Sequence, residues 1–481
     1  MTAAQKPAHL ESHAHPITAN EELALATATE LINLYRNKTV SPVEVLQAVL
    51  ARIERLNPKV NAFALLDPVS ALADARASEA RWLRGHPLGL VDGVPTGLKD
   101  LIWAKGWPTL RGSKSIDPHQ EWNEDAPATA RLREHGAVLL GKTTTSEYGW
   151  TALGDSPLTG ITRNPWNLSH TAGGSSAGSA AAAVLGFGQL QVATDGGGST
   201  RLPAANSGGV GFKPTFGRAA GYPSAHTGTL FHIGTLTRTV SDAALLLSVI
   251  GQPDPRDWNA QDLPAPGWLD SLEQGISGLR IAFSPDLGYA EVDPEVAEII
   301  ANAASVFTTL GATVERVDPG IDDPLPNYRI LTDAAVARLL AKLPADRRAL
   351  VDPDLRRVAE RGQAIDAVSY LAAVEAREAF GRHLTQFHQK WDLLLTPTTA
   401  TPALRADHAS HSGSRGVVPS PFTYPFNFSQ QPAISVPAGL TRAGLPVGLQ
   451  IVGAKFSDPL VLRAARAFEQ ARPFARPVDP V

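Results

Sequence analysis

The sequence predicts a mixed α/β protein in which short buried strands alternate with helices. Between residues 89 and 194, apolar segments such as 138–140 alternate with helical patterns such as 128–134, as they do in βαβ units. Residues 279–317 repeat the order strand, helix, strand. Near the end of the chain, three apolar runs have the length of buried strands, at 393–396, 433–436 and 448–452.

The N-terminal helices have clear start signals. The run Asn-Glu-Glu at 20–22 begins the first helix, because acidic residues favour the positive end of the helix dipole. Ser41-Pro42 begins the second, in which apolar residues from Val45 to Ile53 share one face. We expect Pro58 to end this helix, since proline cannot donate a backbone hydrogen bond. A third helix is predicted at about 69–83.

Further helices are predicted along the rest of the chain. An alanine-rich helix at 180–185 has side chains small enough to pack closely on a sheet. Gly311 follows the helix within 279–317, where a left-handed residue is favoured. Residues 320–390 are more helical and more charged, and 459–471 form a closing helix.

Composition restricts the function classes. The chain has 481 residues, of which 43% are hydrophobic and 19% charged, and its formal net charge is -4. These values are typical of a soluble globular protein with a large core. No concentrated basic face points to a nucleic-acid or anionic-membrane partner, and no apolar run is long enough to span a bilayer. The absence of cysteine excludes disulfides and suits a cytoplasmic location.

No internal repeat or low-complexity linker divides the chain. Residues 1–20 are interpreted as a flexible tail without a signal peptide. Residues 21–475 are predicted to form a single domain, in which the helical section at about 320–390 is the more variable part.

Two glycine-serine turns flank the alanine-rich helix and carry the functional interpretation. The first is Gly173-Gly-Ser-Ser176 and the second is Asp195-Gly-Gly-Gly-Ser199. Glycine lets backbone N–H groups approach a ligand closely, and such groups can stabilise an oxyanion. A serine hydroxyl beside them can attack a carbonyl carbon once a base takes its proton. Taken singly, each turn could instead be a helix start with its serines as caps.

Two other motifs compete with this interpretation. Gly136 to Thr143 matches the nucleotide-binding P-loop, but its four middle residues form a strand. We favour a helix, a turn and a strand that ends at a surface lysine, Lys142. Gly174 to Gly178 matches the nucleophile elbow of α/β-hydrolases with Ser176 as the attacking residue.

An elbow mechanism requires a downstream acid and histidine. No histidine has a context that marks it as catalytic, and we expect most of them to be structural; the downstream ones are His232, His383, His388, His408 and His411. His13 and His15 could contact a metal ion, but no other ligand lies at a convincing spacing. We predict no metal site.

Several long motifs in the same order resemble the amidase signature family. The matching segments are 93–100, 173–179, 194–201, 213–215, 432–437 and 444–450. The resemblance extends from about residue 20 to 472. It implies the family's α/β fold, a central mixed and twisted sheet with helices covering both faces.

The resemblance also implies the roles of the site residues. Ser199 is the nucleophile, Ser175 relays protons from a position after a cis peptide bond, and Lys99 is the general base. The oxyanion hole is implied to consist of the N–H groups of Gly196, Gly197, Gly198 and Ser199. A lysine accepts a proton only when neutral, so we expect burial to lower the pKa of Lys99 and activity to rise toward alkaline pH.

The residues alone leave other assignments open. Lys142 and Lys213 are rival bases, and Lys99 with the adjacent Asp100 could be an exposed ion pair. Only the resemblance selects Lys99. Asp195 and Arg201 are expected to be structural partners near the catalytic loop.

Aromatic residues indicate the substrate. Tyr148, Gly149 and Trp150 lie in the segment that lines the acyl pocket of relatives, and Phe422 and Tyr424 belong to an aromatic run. They favour a hydrophobic or aryl substrate, although each could equally pack in the core.

We therefore expect hydrolysis of a small-molecule amide, ester or carbamate through an acyl-serine, without a cofactor. The alternative is the A subunit of a glutamine-dependent amidotransferase, which acts with a partner protein on charged tRNA. That protein carries an acid seven residues before an asparagine matching Asn427, and this chain has Ser420 there. A nucleotide-binding protein is a third option. The oligomeric state stays open, with a homodimer as one option.

Overall fold

One mixed sheet forms the centre of the protein. A computed structural model describes residues 19–263, 267–407, 420–477 and 479. Within these residues, the sheet consists of β1 (Phe63–Leu66), β2 (Pro95–Lys99), β3 (Val138–Thr143), β6 (Leu190–Asp195), β7 (Val210–Lys213), β8 (His232–Thr237), β9 (Arg280–Phe283), β10 (Thr313–Arg316), β11 (Leu393–Pro397), β12 (Ala433–Leu440) and β13 (Pro446–Gly453). A separate hairpin consists of β4 (Asp155–Ser156) and β5 (Gly160–Ile161).

The strand order is β1-β3-β2-β6-β8-β7-β12-β13-β11-β9-β10. β2 runs parallel to both β3 and β6, and β9 runs parallel to both β10 and β11. Every neighbouring pair from β6 to β11 in this order is antiparallel. The mixed sheet and its helices confirm the predicted fold class.

Helices precede, connect and follow the strands. In the described residues they are α1 (Ala19–Leu25), α2 (Ala28–Arg36), α3 (Pro42–Val60), α4 (Pro68–Arg84), α5 (Pro127–Glu134), α6 (Ala177–Leu185), α7 (Arg201–Ser207), α8 (Val240–Ile250), α9 (Pro294–Thr309), α10 (Leu325–Ala341), α11 (Ala345–Arg348), α12 (Pro353–Gln363), α13 (Ala367–Lys390), α14 (Tyr424–Phe428) and α15 (Asp458–Ala471). None of the described helices is long and apolar enough to cross a membrane.

Both faces of the sheet are buried. Successive residues of a strand point to opposite faces, so β3 separates two cores. Val138 and Leu140 pack in a core with Leu31 of α2 and Val49 of α3. Leu139, between them, packs in the larger core that also contains residues of α8, α9 and α15. Helices therefore cover the sheet on both sides.

Two sequence expectations about helix ends can be compared with the structure. Pro58 does not end α3, which continues to Val60 and is capped by Asn61 in the left-handed conformation. A proline in the last turn loses one hydrogen bond, whereas buried Leu56 and Val60 keep the turn packed. Gly311 has a φ of 89° just after α9, as predicted. Of the predicted tail, residues 1–18 lie outside the described residues.

The sheet brings three sequence-distant segments together. β2 and β6 are adjacent and parallel, with Leu98 opposite Val192, so their carboxyl ends lie at one edge. β2 ends at Lys99 and β6 ends at Asp195. Ser176 precedes α6, and its N–H donates to the carbonyl of Ser199 at 3.1 Å. The two glycine-serine turns therefore meet beside the end of β2.

Gly178, in the first turn of α6, allows this helix to pack closely against the backbone at Ala62 and Thr144. A Cβ at Gly178 would overlap the carbonyl oxygen of Ala62 and the amide nitrogen of Thr144. We expect Gly178→Ala to lower the free energy of unfolding by about 1–3 kcal/mol, because backbone atoms must shift. Thermal and urea unfolding midpoints measure the change.

Gly381 provides the matched control, because it lies within α13 and a Cβ there would meet no atom within 4 Å. Gly381→Ala should leave stability unchanged or raise it by up to about 1 kcal/mol. Equal effects of the two substitutions would contradict the packing argument.

Candidate active site

Lys99 is fully buried at the end of β2 and makes two side-chain hydrogen bonds. Its Nζ atom lies 2.7 Å from Ser175 Oγ and 2.9 Å from Thr194 Oγ1. Burial holds the pKa of Lys99 well below its usual range, and the charge of Asp195 opposes this only in part. A buried amine with a lowered pKa and a hydroxyl partner can accept a proton. Burial also excludes the exposed ion pair with Asp100.

The two turns supply two serines to one cavity. The peptide bond between Gly174 and Ser175 is cis, and Ser175 is buried beside Lys99. Ser199 is only partly buried, and both serines line the cavity. The structure thus brings Lys99, Ser175 and Ser199, separated in sequence by up to 100 positions, to one place.

An ion pair between Asp195 and Arg201 lies beneath the second turn, and both side chains are fully buried. Arg201 donates from Nε and Nη2 to the two carboxylate oxygens at 3.0 and 2.9 Å. Burial alone would raise the pKa of Asp195, but the Arg201 charge and hydrogen bonds hold it well below its usual range. The pair was expected to be structural, and its geometry agrees.

The same guanidinium reaches the C-terminal segment. Arg201 donates to Asn427 Oδ1 at 2.6 Å and to Gln450 Oε1 at 2.8 Å. Asn427 Nδ2 in turn donates to the backbone carbonyl of Asp195 at 2.9 Å. The turn is therefore fixed from two distant parts of the chain.

The backbone of the second turn is held in a defined orientation. The Gly198 N–H donates to the Asp195 carboxylate at 2.7 Å, which leaves the N–H groups of Gly196, Gly197 and Ser199 as candidates for an oxyanion. Two hydroxyl groups bind the carbonyls of the turn. Tyr328 donates to the Gly196 carbonyl and Thr423 donates to the Gly197 carbonyl, each at 2.8 Å.

The cavity above the serines has a volume of about 280 Å³. Of the residues proposed for the substrate pocket, Tyr148, Gly149, Trp150 and Tyr424 line this cavity. Phe422 does not, because it is fully buried in a core beneath α14. Ser420, already singled out from the sequence, also lines the cavity; lining residues that sequence reasoning missed include Arg111, His226, Phe231 and Tyr328, contributed by loops and by α10. No local motif marks these positions.

Lys142 is not at the surface, contrary to the sequence-based expectation. Its side chain is fully buried; Nζ bonds to the Ile102 carbonyl and to Thr109 Oγ1 and lies 3.9 Å from Asp100. Burial lowers the pKa of Lys142 to about 8. Lys142 lies on β3, next to the strand that ends at Lys99, and, like the other rival base Lys213, does not line the cavity.

The competing motifs lack the geometry they need. Residues 138–143 are a strand, which is inconsistent with a P-loop. Ser176 is buried, and its hydroxyl donates to the Thr194 carbonyl instead of entering the cavity. His232, His383 and His388 each lie within 2.9 Å of a backbone carbonyl, whereas His13, His15, His408 and His411 lie outside the described residues. No cluster of three potential metal ligands occurs in the part of the chain that the structure describes.

The comparisons with known proteins agree with this fold. The Amidase family model matches residues 44–462. The chain therefore belongs to the amidase signature family.

Its relatives have different reactions. It is 34% identical to the A subunit of a glutamyl-tRNA(Gln) amidotransferase from Geobacter metallireducens, over 94% of this chain and 98% of the relative. It is also 34% identical to an acylamidase from Rhodococcus erythropolis, over 95% of this chain and 98% of the relative. The crystal structure of a bacterial aryl acylamidase of the amidase signature family superposes with a TM-score of 0.85 at 32% identity, over 93% of this chain and 96% of that chain.

The buried ion pair leads to a stability prediction. We expect Arg201→Gln to lower the free energy of unfolding at neutral pH by about 3–5 kcal/mol, because it leaves the Asp195 carboxylate buried and unpaired. Since the pKa of Asp195 is lowered in the folded protein, the pair stabilises above the unfolded pKa of about 3.9 and less as pH falls below it. Urea unfolding at several pH values measures both effects.

The control is Arg405→Gln, which removes one partner of an ion pair with Asp407 whose side chains are 62% and 57% exposed. It should change stability little. A small, pH-independent effect of Arg201→Gln would contradict the structural role of the buried pair.

Proposed function

We propose that this protein hydrolyses small amides through an acyl-serine intermediate. The observation that carries the proposal is the hydrogen bond between the buried Lys99 amine and Ser175, beside a cavity that Ser175 shares with Ser199. This arrangement supports the roles of general base, proton relay and nucleophile.

In the proposed reaction, neutral Lys99 takes the proton of Ser175 while Ser175 takes that of Ser199. Ser199 Oγ attacks the amide carbon, and Ser175 returns a proton from Lys99 to the leaving nitrogen. Water then attacks the acyl-serine by the same relay and releases the carboxylic acid. The N–H groups of Gly196, Gly197 and Ser199 would stabilise the negative oxygen formed in each step. These steps require no cofactor.

The cavity walls support an aryl or hydrophobic substrate. Tyr328 and Tyr424 lie with ring centroids 5.3 Å apart, and Trp150 and Phe231 contribute further aromatic surface. Aromatic rings bury flat apolar groups with large contact area. The similarity to aryl acylamidase and acylamidase agrees with this substrate class.

The alternative is glutamine-dependent ammonia transfer with a partner protein, since several of the similar curated proteins are amidotransferase A subunits. Ser420, at the position where those proteins are expected to carry an acid, lines the cavity and offers a hydroxyl group. This difference favours the stand-alone hydrolase.

The first prediction of this proposal concerns the nucleophile. The assay measures the release of ammonia and aniline from aliphatic amides, anilides, carbamates and glutamine. The rate of release should fall by at least about a thousandfold in Ser199→Ala. With a slow anilide, mass spectrometry should find the acyl group on the peptide that contains Ser199. Ser176→Ala, next to the relay but outside the cavity, serves as the control and should retain activity.

Release of ammonia from glutamine and from no other substrate would instead support the amidotransferase function. Activity that survives in Ser199→Ala would contradict the assignment of the nucleophile.

The second prediction concerns pH. Burial lowers the pKa of Lys99, so kcat/KM should rise with pH as this amine loses its proton. The rise should occur well below the pH at which a lysine usually loses its proton. An anilide without ionisable groups keeps the substrate from titrating, and Lys99→Met should be inactive throughout. A profile that rises only near pH 10.5, or does not change between about pH 5 and 10, would contradict a neutral lysine base.

A further inference from the structure

Arg111 is an arginine that faces the active-site cavity without an acidic partner. It is partly buried and lines the cavity together with Tyr148 and Ser175. Among the described residues, no carboxylate forms an ion pair with its guanidinium. A partly buried cation that lacks a protein counter-ion is costly unless a ligand supplies one.

The other charged residues of the cavity have partners or are exposed. Arg361 pairs with Asp333 at 3.0 Å, and Asp323 accepts a hydrogen bond from Tyr424 at 2.5 Å. Arg329 also lines the cavity but is exposed to solvent. Arg111 is therefore the cation of this cavity that is both partly buried and without an acidic partner in the described chain.

The backbone around Arg111 is built to present this side chain. Arg111 has a φ of 55°, a left-handed conformation that non-glycine residues rarely adopt. The Asp100 carboxylate fixes the loop by accepting the N–H groups of Leu110 at 3.1 Å and Gly112 at 3.2 Å. Strained backbone that is held so firmly is characteristic of functional sites.

Asp100 attracts the Arg111 guanidinium without forming an ion pair with it. Its carboxylate is committed to these backbone N–H groups and lies 3.9 Å from Lys142 Nζ. Burial, which outweighs the attraction of Lys142, raises the pKa of Asp100 to about 6. The neighbouring His226, whose pKa burial and Arg111 lower to about 4, is neutral at pH 7. The positive charge of Arg111 thus stays available to a ligand.

The loop lies close to the reacting groups. The Tyr148 N–H donates to the Arg111 carbonyl at 2.8 Å, and the next residue, Gly149, faces Ser175. A Cβ at Gly149 would lie 3.3 Å from Ser175 Oγ. A ligand bound to Arg111 would therefore lie within the same cavity as the relay serine.

We propose that Arg111 binds a carboxylate on the substrate, so that the preferred amides are aryl or hydrophobic amides with one anionic end. This inference rests on the proposed function and names the substrate class of the same site. A guanidinium can bind a carboxylate through two parallel hydrogen bonds, which orients the substrate as well as attracting it. His226 lines the same cavity and, as a neutral imidazole, has one N–H to donate, and the aromatic wall covers the apolar part.

Matched substrate pairs test the proposal. In the first pair, succinic acid mono-4-nitroanilide carries a carboxylate on the acyl side and butyric acid 4-nitroanilide is its neutral counterpart. In the second pair, 4-acetamidobenzoate carries the carboxylate on the leaving group and 4-methylacetanilide is neutral. The wild type should prefer the anionic member of at least one pair by about ten- to hundredfold in kcat/KM. Arg111→Gln should remove this preference, because it should lower kcat/KM for the anionic member at least about tenfold more than for the neutral member.

Arg111→Lys should retain part of the preference, and Arg329→Gln, the control at the exposed arginine, should retain all of it. A cooperative thermal unfolding transition, together with continued hydrolysis of the neutral member, shows that Arg111→Gln is folded. Preference for the neutral member of both pairs in the wild type, or an anionic preference that survives in Arg111→Gln, would overturn the proposal.

A binding experiment separates this inference from the proposed reaction. Benzoate should raise the thermal unfolding midpoint of Ser199→Ala more than benzamide does, and the additional Arg111→Gln substitution should abolish the difference. If no amide is hydrolysed but this difference is observed, the proposed function fails and the anion site stands. If benzoate and benzamide act alike, the anion site is wrong, whatever the enzyme hydrolyses.

Discussion

The buried ion pair between Asp195 and Arg201 holds the candidate active site in place. It joins the end of β6 to the start of α7, so the turn between them has both ends fixed. Through Asn427 and Gln450 it also binds the C-terminal segment, more than 220 residues away in sequence. A carboxylate and a guanidinium without solvent must satisfy each other and their remaining hydrogen bonds, which allows few arrangements. The turn therefore has a single orientation before any substrate binds.

Burial and ion pairing determine which of the groups near the cavity are charged. Desolvation lowers the pKa values of Lys99, Lys213 and His232. Asp195 is ionised because it has Arg201 as its partner. The anion and the cation that must be charged are thus paired, and the lysine that hydrogen-bonds to Ser175 is free to be neutral. One buried environment produces both a structural ion pair and a candidate base.

The sequence predicted the alternation of strands and helices and most element positions, because hydrophobic period and turn residues are local properties. The strands at 393–396, 433–436 and 448–452 appear in the structure, each of them somewhat longer than predicted. Expectations failed where packing overrides local chemistry. Pro58 lies inside α3 because the last turn is buried, Lys142 is enclosed beside Asp100, and Phe422 packs in the core although its neighbour Tyr424 lines the cavity. A lysine or phenylalanine carries no local sign of which environment surrounds it.

Residue order and spacing predicted the α/β class and the two glycine-serine turns, and several motifs in order carried the resemblance to the family, because periodicity and motifs are local properties of the sequence. Which lysine meets Ser175 depends on the folded chain. Lys99, Lys142 and Lys213 each end or lie near the end of a buried strand, and the parallel pairing of β2 with β6 sets Lys99 between Ser175 and Thr194. The position of Arg111 at the cavity likewise depends on hydrogen bonds from the loop backbone to Asp100. Contacts between distant segments, and the desolvation they cause, exist only once the chain is folded.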